Sequence, residues 1–129
     1  MGKVAVLELD DLELGKHATS QLRDYFEDIE KRKVRKATEI PFVLDQMLED
    51  AQGAVLLVDT TEQKYMEQVI DKVLEIEMEK GKPVQQLLLE KEDESREAFQ
   101  ERSRSETREQ AEILADKVNS INREDYDRI

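Results

Sequence analysis

The apolar residues of this chain fall into short unbroken runs separated by longer, interrupted stripes. Two runs, KVAVLEL at 3–9 and AVLLV at 54–58, are rich in Val and Leu. Runs of this length and composition predict buried β-strands. The run at 54–58 contains no polar residue, which indicates a strand covered on both faces, as in a parallel sheet between helices.

Two further segments complete the predicted sheet. KRKVRK at 31–36 carries Val34 as its only apolar residue and is predicted to be a short strand, and VQQLLLE at 84–90 is predicted to be the fourth. The basic side chains of 31–36 have two interpretations, and the sequence leaves both open. They could protect an edge strand from pairing with other chains, or they could attract an anionic ligand.

Between the strands, apolar residues recur every three or four positions, which predicts amphipathic helices. The second helix would end at Gly53 and the third near KGKP at 80–83. After the fourth strand, SREAFQER predicts a short helix, and the capping-box spacing of Ser103 and Glu106 predicts the start of a separate final helix. The apolar stripes of the four main helices are, in chain order, Ala18, Leu22, Tyr25, Phe26 and Ile29; Leu44, Met47, Leu48 and Ala51; Met66, Val69, Ile70, Val73 and Leu74; and Ala111, Leu114, Ala115, Val118 and Ile121.

This alternation of strands and helices predicts an α/β fold. The expected architecture is a three-layer α-β-α sandwich with a four-stranded parallel sheet and right-handed crossovers. A chain of 129 residues favours one domain, and we assign that domain to 1–122. The remaining segment, 123–129, is predicted to be a frayed C-terminal tail.

The composition narrows the classes of partner. Charged residues make up 40% of the chain, and the formal net charge is −12. Nucleic acids and anionic membranes require clustered Lys and Arg, so neither is expected as the main partner. The absence of cysteine excludes disulfides, a thiolate nucleophile and cysteine-ligated metals. No apolar run has the length of a signal peptide or a membrane span, and a soluble, cytoplasmic protein is expected.

Ligands of open parallel sheets bind beyond the carboxyl ends of the strands. In this chain those ends are the connections at 10–15, 37–39, 59–62 and 90–95. Glu39 lies in the second of them, two residues before Pro41, at the predicted start of a helix. The helix dipole favours a carboxylate there, and proline is tolerated in a first turn. Glu39 therefore either caps the start of this helix or contacts a ligand.

Acidic and hydroxyl side chains occupy two of the other connections. Asp10, Asp11 and Asp59 resemble the acidic site of response-regulator receiver domains, which bind a divalent cation and phosphorylate the central aspartate. The alternative is that they are solvated loop acids, and the pattern offers no fifth strand of the kind a receiver has. Thr60 and Thr61 could hold a phosphate at a helix start, or could serve as helix caps. No glycine-rich loop is present, which excludes a nucleotide P-loop.

Two further sets of side chains could take part in chemistry. His17 is the only histidine and lies near the start of the first helix, where a lone histidine is usually structural or exposed. Arg102, Arg104 and Arg108 flank the predicted break between the last two helices. They could bind a phosphate, or they could pair with the many glutamates nearby.

Two segments resemble the lumazine synthase superfamily. ATEIPFVLDQMLEDAQGAVLLV at 37–58 is similar to the segment in which a Pro-Gly-Ala-x-Glu-Leu-Pro motif precedes a helix and a strand, and Ala37, Glu39 and Pro41 fall on that motif. QLLLEKEDESREAFQERSRSETREQAEILADKV at 86–118 resembles the last strand, short helix, arginine-bearing break and final helix of the archaeal riboflavin synthase branch. The resemblance extends over about 3–121.

The resemblance implies a transferase of riboflavin biosynthesis that acts on ribityl-pyrimidine or ribityllumazine ligands. It also implies a lumazine synthase-like fold, a homopentamer with active sites shared between neighbouring subunits, and magnesium as a possible cofactor. Glu39 and the backbone near Ala37 would contact the ribityl or pyrimidine part of the ligand. Thr60 and Thr61 would lie in the phosphate-binding connection, and Arg102 would be a phosphate ligand.

The sequence departs from the family at its catalytic residues. The family has a glycine-rich, phosphate-binding loop after the central strand, followed by a catalytic histidine in the next helix. This chain reads VDTTEQKYMEQV there, with Tyr65 and Met66 near the expected position of the histidine. A general acid–base group commonly accelerates a reaction by about 10²–10⁴-fold. The sequence therefore leaves an active transferase, with His17 as its only candidate catalytic histidine, beside a catalytically lapsed relative that serves as a binding or assembly module.

Overall fold

The computed structural model describes residues 2–9, 13–59, 63–89 and 93–127. For 59, 63, 64 and 122–127 it describes the backbone alone. The elements are β1 (Lys3–Leu9), α1 (Gly15–Leu22), β2 (Asp28–Val34), a short 3-10 helix (Ala37–Glu39), α2 (Ile40–Asp50), β3 (Ala54–Asp59), α3 (Gln63–Lys80), β4 (Val84–Leu89) and α4 (Arg96–Asp127).

The four strands form one parallel sheet in the order β2-β1-β3-β4. Helices cover both faces, so the predicted α/β sandwich with a four-stranded parallel sheet is confirmed. Because side chains alternate along a strand, Ala5 and Leu7 face α2 and α3, whereas Val4 and Val6 face α1 and α4. The sheet thus separates two apolar cores, one beneath each pair of helices.

The central strands are buried on both faces, as the apolar runs predict. All residues from Val4 to Leu7 in β1, and from Ala54 to Val58 in β3, are almost completely inaccessible to solvent. Each burial of a side chain of the size of Val or Leu contributes about 1.5–3 kcal/mol. These two strands are therefore the centre of the hydrophobic stabilisation.

The second strand begins earlier than predicted. β2 is Asp28–Val34 rather than 31–36, and all seven of its residues pair with β1 in parallel register, from Lys3 with Asp28 to Leu9 with Val34. Ile29 therefore belongs to this strand and packs against the core beneath α1 and α4, although its spacing assigned it to the first helix. That helix ends at Leu22. Lys31, Arg32 and Lys33 lie in β2, which is outermost among the described strands, as the edge-strand interpretation of the basic run expects.

The predicted break in the last helical region is wrong. α4 is continuous over Arg96–Asp127, and its start is capped by Ser95, whose Oγ accepts a hydrogen bond from the Ala98 N–H at 3.1 Å. Ser103 is buried inside the helix, and its hydroxyl donates to the Phe99 carbonyl at 2.7 Å. Ser103 lacks the extended backbone of a capping residue, so the spacing between Ser103 and Glu106 does not mark the start of a helix.

The C-terminal part of α4 extends over much of the segment predicted to be a tail. Its backbone is helical as far as Asp127. Among the residues that the structure describes, no helix is long and apolar enough to cross a membrane.

Candidate functional site

The carboxyl ends of the four strands meet at one edge of the sheet, where ligands of this architecture bind. The connections at 10–12, 60–62 and 90–92 lie outside the described residues, so the predictions made for Asp10, Asp11, Thr60 and Thr61 stay predictions. Asp59 is the last residue of β3, and only its backbone is described. The connection between β2 and α2, which carries Ala37 and Glu39, is described in full.

This connection turns the chain through a short 3-10 helix. Lys36 is extended, with φ −121° and ψ 137°, and the Glu39 N–H then donates to the Lys36 carbonyl at 3.0 Å. Ala37 is buried against the core, which fixes the turn, whereas Glu39 is exposed. The backbone near Ala37 is thus rigidly placed at the mouth of α2.

The Glu39 carboxylate has no partner within the described part of the chain. Glu39 occupies the N-cap position of α2 and Pro41 lies in the first turn, yet the carboxylate makes no capping hydrogen bond. Its favourable interaction with the helix is therefore limited to the dipole. The backbone of Glu39 is fixed by the turn, and its carboxylate, whose oxygens are uncommitted to any described residue, can accept hydrogen bonds from a ligand.

A groove begins beside Glu39 and runs between α2 and α3. Its cavity has a volume of about 490 Å³, within the range of small-molecule sites. Two exposed aromatic side chains line it, Phe42 on α2 at 75% exposure and Tyr65 on α3 at 52%. The complete lining is Thr38, Pro41, Phe42, Asp45, Gln46, Tyr65, Gln68, Val69, Lys72 and Ile76.

The groove combines apolar and hydrogen-bonding groups. Aromatic faces such as those of Phe42 and Tyr65 can stack against a planar ring. Gln46 and Gln68 each offer an amide that can both donate and accept, which suits a polyhydroxylated chain. Asp45 is already paired with Lys80 at 3.3 Å, which forms an ion pair between α2 and α3. The sequence did not identify this groove, because its lining residues come from two helices that only the fold brings side by side.

No protein-family model and no curated protein matches this sequence. The resemblance to the lumazine synthase superfamily therefore rests on the residues quoted above.

The position of the single histidine bears directly on catalysis. The described helix α3 presents Tyr65 to the groove and buries Met66 in the core, and it contains no histidine. His17 lies on α1, which packs against α4 on the opposite face of the sheet. The sheet therefore stands between His17 and the α2–α3 groove, and the imidazole cannot act on a ligand bound there within one subunit.

His17 lies instead in a cationic environment. Partial burial lowers its pKa, and the positive charges of Arg104, Arg108 and Lys16 lower it further. Each of these effects disfavours the protonated imidazole. His17 is therefore held in its neutral form at pH values where an exposed histidine would already bind a proton.

This environment predicts a specific pH dependence of stability. Because the pKa of His17 in the folded protein lies below its ordinary value of 6.5, the unfolded chain binds the proton more readily. As the pH falls from 6.5 through the lowered pKa, the wild-type protein should lose stability relative to a His17→Gln variant, and above 6.5 the difference should be constant. Urea denaturation of both proteins between about pH 5 and 8 measures this. Parallel stability curves would contradict the assignment.

Arg102, predicted to be a phosphate ligand, is held by two carboxylates. Its Nη2 lies 2.6 Å from Glu94 Oε1, its Nη1 lies 3.4 Å from Glu106, and its guanidinium stacks over the Phe99 ring at 5.4 Å. These partners raise the pKa of Arg102, with the Glu94 hydrogen bond as the largest cause. Its role towards phosphate stays a prediction, and a phosphate would have to compete with Glu94.

Glu8 is a site residue that the sequence interpretation missed. It lies inside β1, is 1% exposed, and accepts hydrogen bonds from the backbone N–H groups of Leu14 and Gly15, each at 3.1 Å. The carboxylate thus occupies the free amides at the start of α1, where an anionic ligand would otherwise bind. The available signal was an acid within an apolar strand, a few residues before a helix.

The described residues provide no cluster of side chains that could bind the magnesium implied by the resemblance. Within 2–9, 13–59, 63–89 and 93–127, no three His, Asp or Glu side chains lie close enough together to hold a metal ion.

Proposed function

We propose that this protein binds a ribityl-bearing pyrimidine or lumazine at the carboxyl edge of its sheet, as transferases of riboflavin biosynthesis do. The observation that carries the proposal is the Glu39 carboxylate, which is fixed on the turn after β2, unpaired within the described chain, and adjacent to a groove of ligand size. The resemblance of 37–41 to the family's Ala-x-Glu-x-Pro pattern supports the same residue.

The chemistry of the groove fits this class of ligand. A pyrimidine or lumazine is a planar ring, which would stack between Phe42 and Tyr65. A ribityl chain carries several hydroxyl groups, which would donate to Glu39 and exchange hydrogen bonds with Gln46 or Gln68. Hydrogen bonds to a charged group contribute more than neutral ones, so Glu39 should dominate the affinity.

A catalytically lapsed relative, which binds the ligand without turnover, is the second candidate. It is favoured by one observation, the location of His17 on the face of the sheet opposite the groove. A transferase would need a different acid–base group, or a group from another subunit. The two candidates share the binding site and differ only in turnover.

Binding of 6,7-dimethyl-8-ribityllumazine, followed by its own fluorescence or by calorimetry, tests the shared site. Glu39→Gln should weaken binding by about ten-fold or more, because a charged acceptor is lost. Glu49→Gln is the matched control, since it removes the same charge from an exposed position at the other end of α2. The absence of binding at millimolar ligand, or an equal effect of both substitutions, would refute the proposed site.

Turnover of the same ligand, with and without magnesium, separates the two candidates. Product formation that is lost in Glu39→Gln would support the transferase, whereas binding without product would support the lapsed relative. The receiver interpretation is tested in parallel by labelling with acetyl phosphate, and labelling that survives Asp59→Asn would rule it out. A receiver domain has a fifth strand, whereas the described residues of this chain form a sheet of four strands.

Self-association as a homopentamer is part of the proposal. The helical layer that contains the groove also exposes large apolar side chains outside its lining, Leu74 and Met78, the latter at 82% exposure. Exposed apolar surface of this kind is often covered by another subunit. Native mass spectrometry should detect five copies, and a monomer at micromolar concentration would count against the family resemblance.

A further inference from the structure

The contact between α1 and α4, on the face of the sheet opposite the groove, leaves a cationic rim. The two helices pack against each other, with Ala18 buried on α1 and Ser103 and Thr107 buried on α4. On a helix the next residue is rotated by about 100°. The residues after Ser103 and Thr107 therefore emerge at the border of the contact.

Those two residues are Arg104 and Arg108, which are exposed and four positions apart, so that their side chains lie on the same strip of α4. Across the border, α1 contributes His17, which is half-buried. Neither arginine forms an ion pair or a hydrogen bond with any described residue. This contrasts with Arg102, whose guanidinium is bound by Glu94 and Glu106.

We propose that His17, Arg104 and Arg108 form a binding site for a phosphate group of a small molecule. Two guanidinium groups on one strip of a helix can each offer paired N–H donors to phosphate oxygens. The imidazole of His17 adds a third donor from the neighbouring helix. Three cationic or donor groups can each bond one of the three terminal oxygens of a phosphate. A carboxylate ligand has only two oxygens and would leave one of these groups without an acceptor.

The electrostatics around His17 agree with this geometry. The groups that act on it are Lys16 on its own helix and Arg104 and Arg108 on α4, all of which are positive and lower its pKa. No described carboxylate is among the groups that shift the pKa of His17. In a chain with 32 acidic and 20 basic residues, an imidazole acted on by positive charges alone is unusual. A bound phosphate would supply the missing negative charge.

This site is independent of the proposed function. The α2–α3 groove and the α1–α4 rim lie on opposite faces of the sheet, so ribityllumazine binding and phosphate binding can each fail without the other. Arg104 and Arg108 are exposed side chains outside the core, and their substitution should leave the fold intact.

The single histidine makes the test direct, because the imidazole gives one resonance in an NMR pH titration. We expect inorganic phosphate to raise the pKa of His17 relative to sodium chloride at the same ionic strength, since a bound anion stabilises the imidazolium. Matched ionic strength matters because salt alone screens the arginines. An equal pKa in phosphate and chloride would overturn the proposal.

Paired variants locate the site. In Arg104→Gln/Arg108→Gln, the phosphate-dependent change at His17 should disappear, with an apparent affinity weaker by about ten-fold or more. Arg23→Gln/Arg35→Gln removes the same two charges from exposed positions elsewhere and should bind phosphate as the wild type does. If both double variants lose the response equally, the effect is one of net charge and the proposed site is wrong. Unchanged backbone amide spectra confirm that each variant is folded.

Discussion

Replacement of Glu8 by alanine should destabilise the protein by about 3 kcal/mol, although glutamate is rarely a core residue. The carboxylate is almost completely buried and accepts the N–H groups of Leu14 and Gly15. A hydrogen bond to a charged group contributes about 1.5–3 kcal/mol, and a buried donor left without a partner costs about 1–3 kcal/mol. Alanine would remove the acceptor, leave both amides unsatisfied and open a cavity.

Gly15 shows how closely the carboxylate is fitted. A Cβ added at Gly15 would lie 2.7 Å from Glu8 Oε2 and 3.0 Å from the Lys31 Cδ. Only glycine lets the first amides of α1 approach the carboxylate at this distance. The Glu8 side chain therefore couples β1 to the start of α1.

Urea denaturation, fitted as a two-state transition, measures the effect. Glu8→Gln is the matched control, because it keeps the shape and one acceptor oxygen and should cost about half as much as alanine. A Glu8→Ala variant within about 1 kcal/mol of the wild type would show that water replaces the carboxylate as a cap.

Substitution of Gly53 by alanine should destabilise the protein by about 2 kcal/mol, through a steric mechanism. Gly53 is buried between α2 and β3, and an added Cβ would lie 2.9 Å from the Pro83 carbonyl oxygen. That oxygen accepts the Ala54 N–H at 3.0 Å, so it cannot move without weakening the connection between β3 and β4. The same Cβ would lie 3.0 Å from Leu114 Cδ1, which forces α4 away from the sheet.

Gly81 supplies the control for this prediction. It follows α3 with a φ of 62°, and an added Cβ would have no neighbour within 4 Å. Gly81→Ala should therefore cost about 1 kcal/mol for the left-handed backbone alone. Thermal or urea denaturation that finds Gly53→Ala less destabilising than Gly81→Ala would show that the layers adjust freely at Gly53.

Glu39 illustrates how far the sequence reaches towards the site. Its place after a strand and before a proline-containing helix was sufficient to predict a carboxylate at the sheet edge. Whether that carboxylate was used as a cap could not be predicted, because capping depends on side-chain torsions that local sequence leaves free. In the fold Glu39 occupies the N-cap position of α2, and its side chain makes no capping hydrogen bond.

The α2–α3 groove and the arginines of α4 show the opposite case. Phe42 and Tyr65 are separated by a whole strand in the sequence, and only the packing of α2 beside α3 brings them to one cavity. Arg102, Arg104 and Arg108 looked like one basic group at a helix break. On a continuous helix Arg102 lies on a different side from the other two, next to Glu94 and Glu106.

The sequence by itself determined the four strands and the burial of 54–58 on both faces, because these follow from the spacing of apolar and charged residues along the chain. Only the tertiary structure decided where β2 begins, that α4 is unbroken and that Glu8 is buried. The start of β2 is set by pairing with every residue of β1. α4 runs unbroken through Ser103 and Thr107, which are tolerated in its buried part because their hydroxyls donate to carbonyls of the same helix. Glu8 is tolerated in a buried strand because the start of α1 supplies its two donors. Strand pairing, helix packing and the hydrogen bonding of buried groups depend on contacts between residues that are distant in sequence. A local sequence pattern does not specify those contacts.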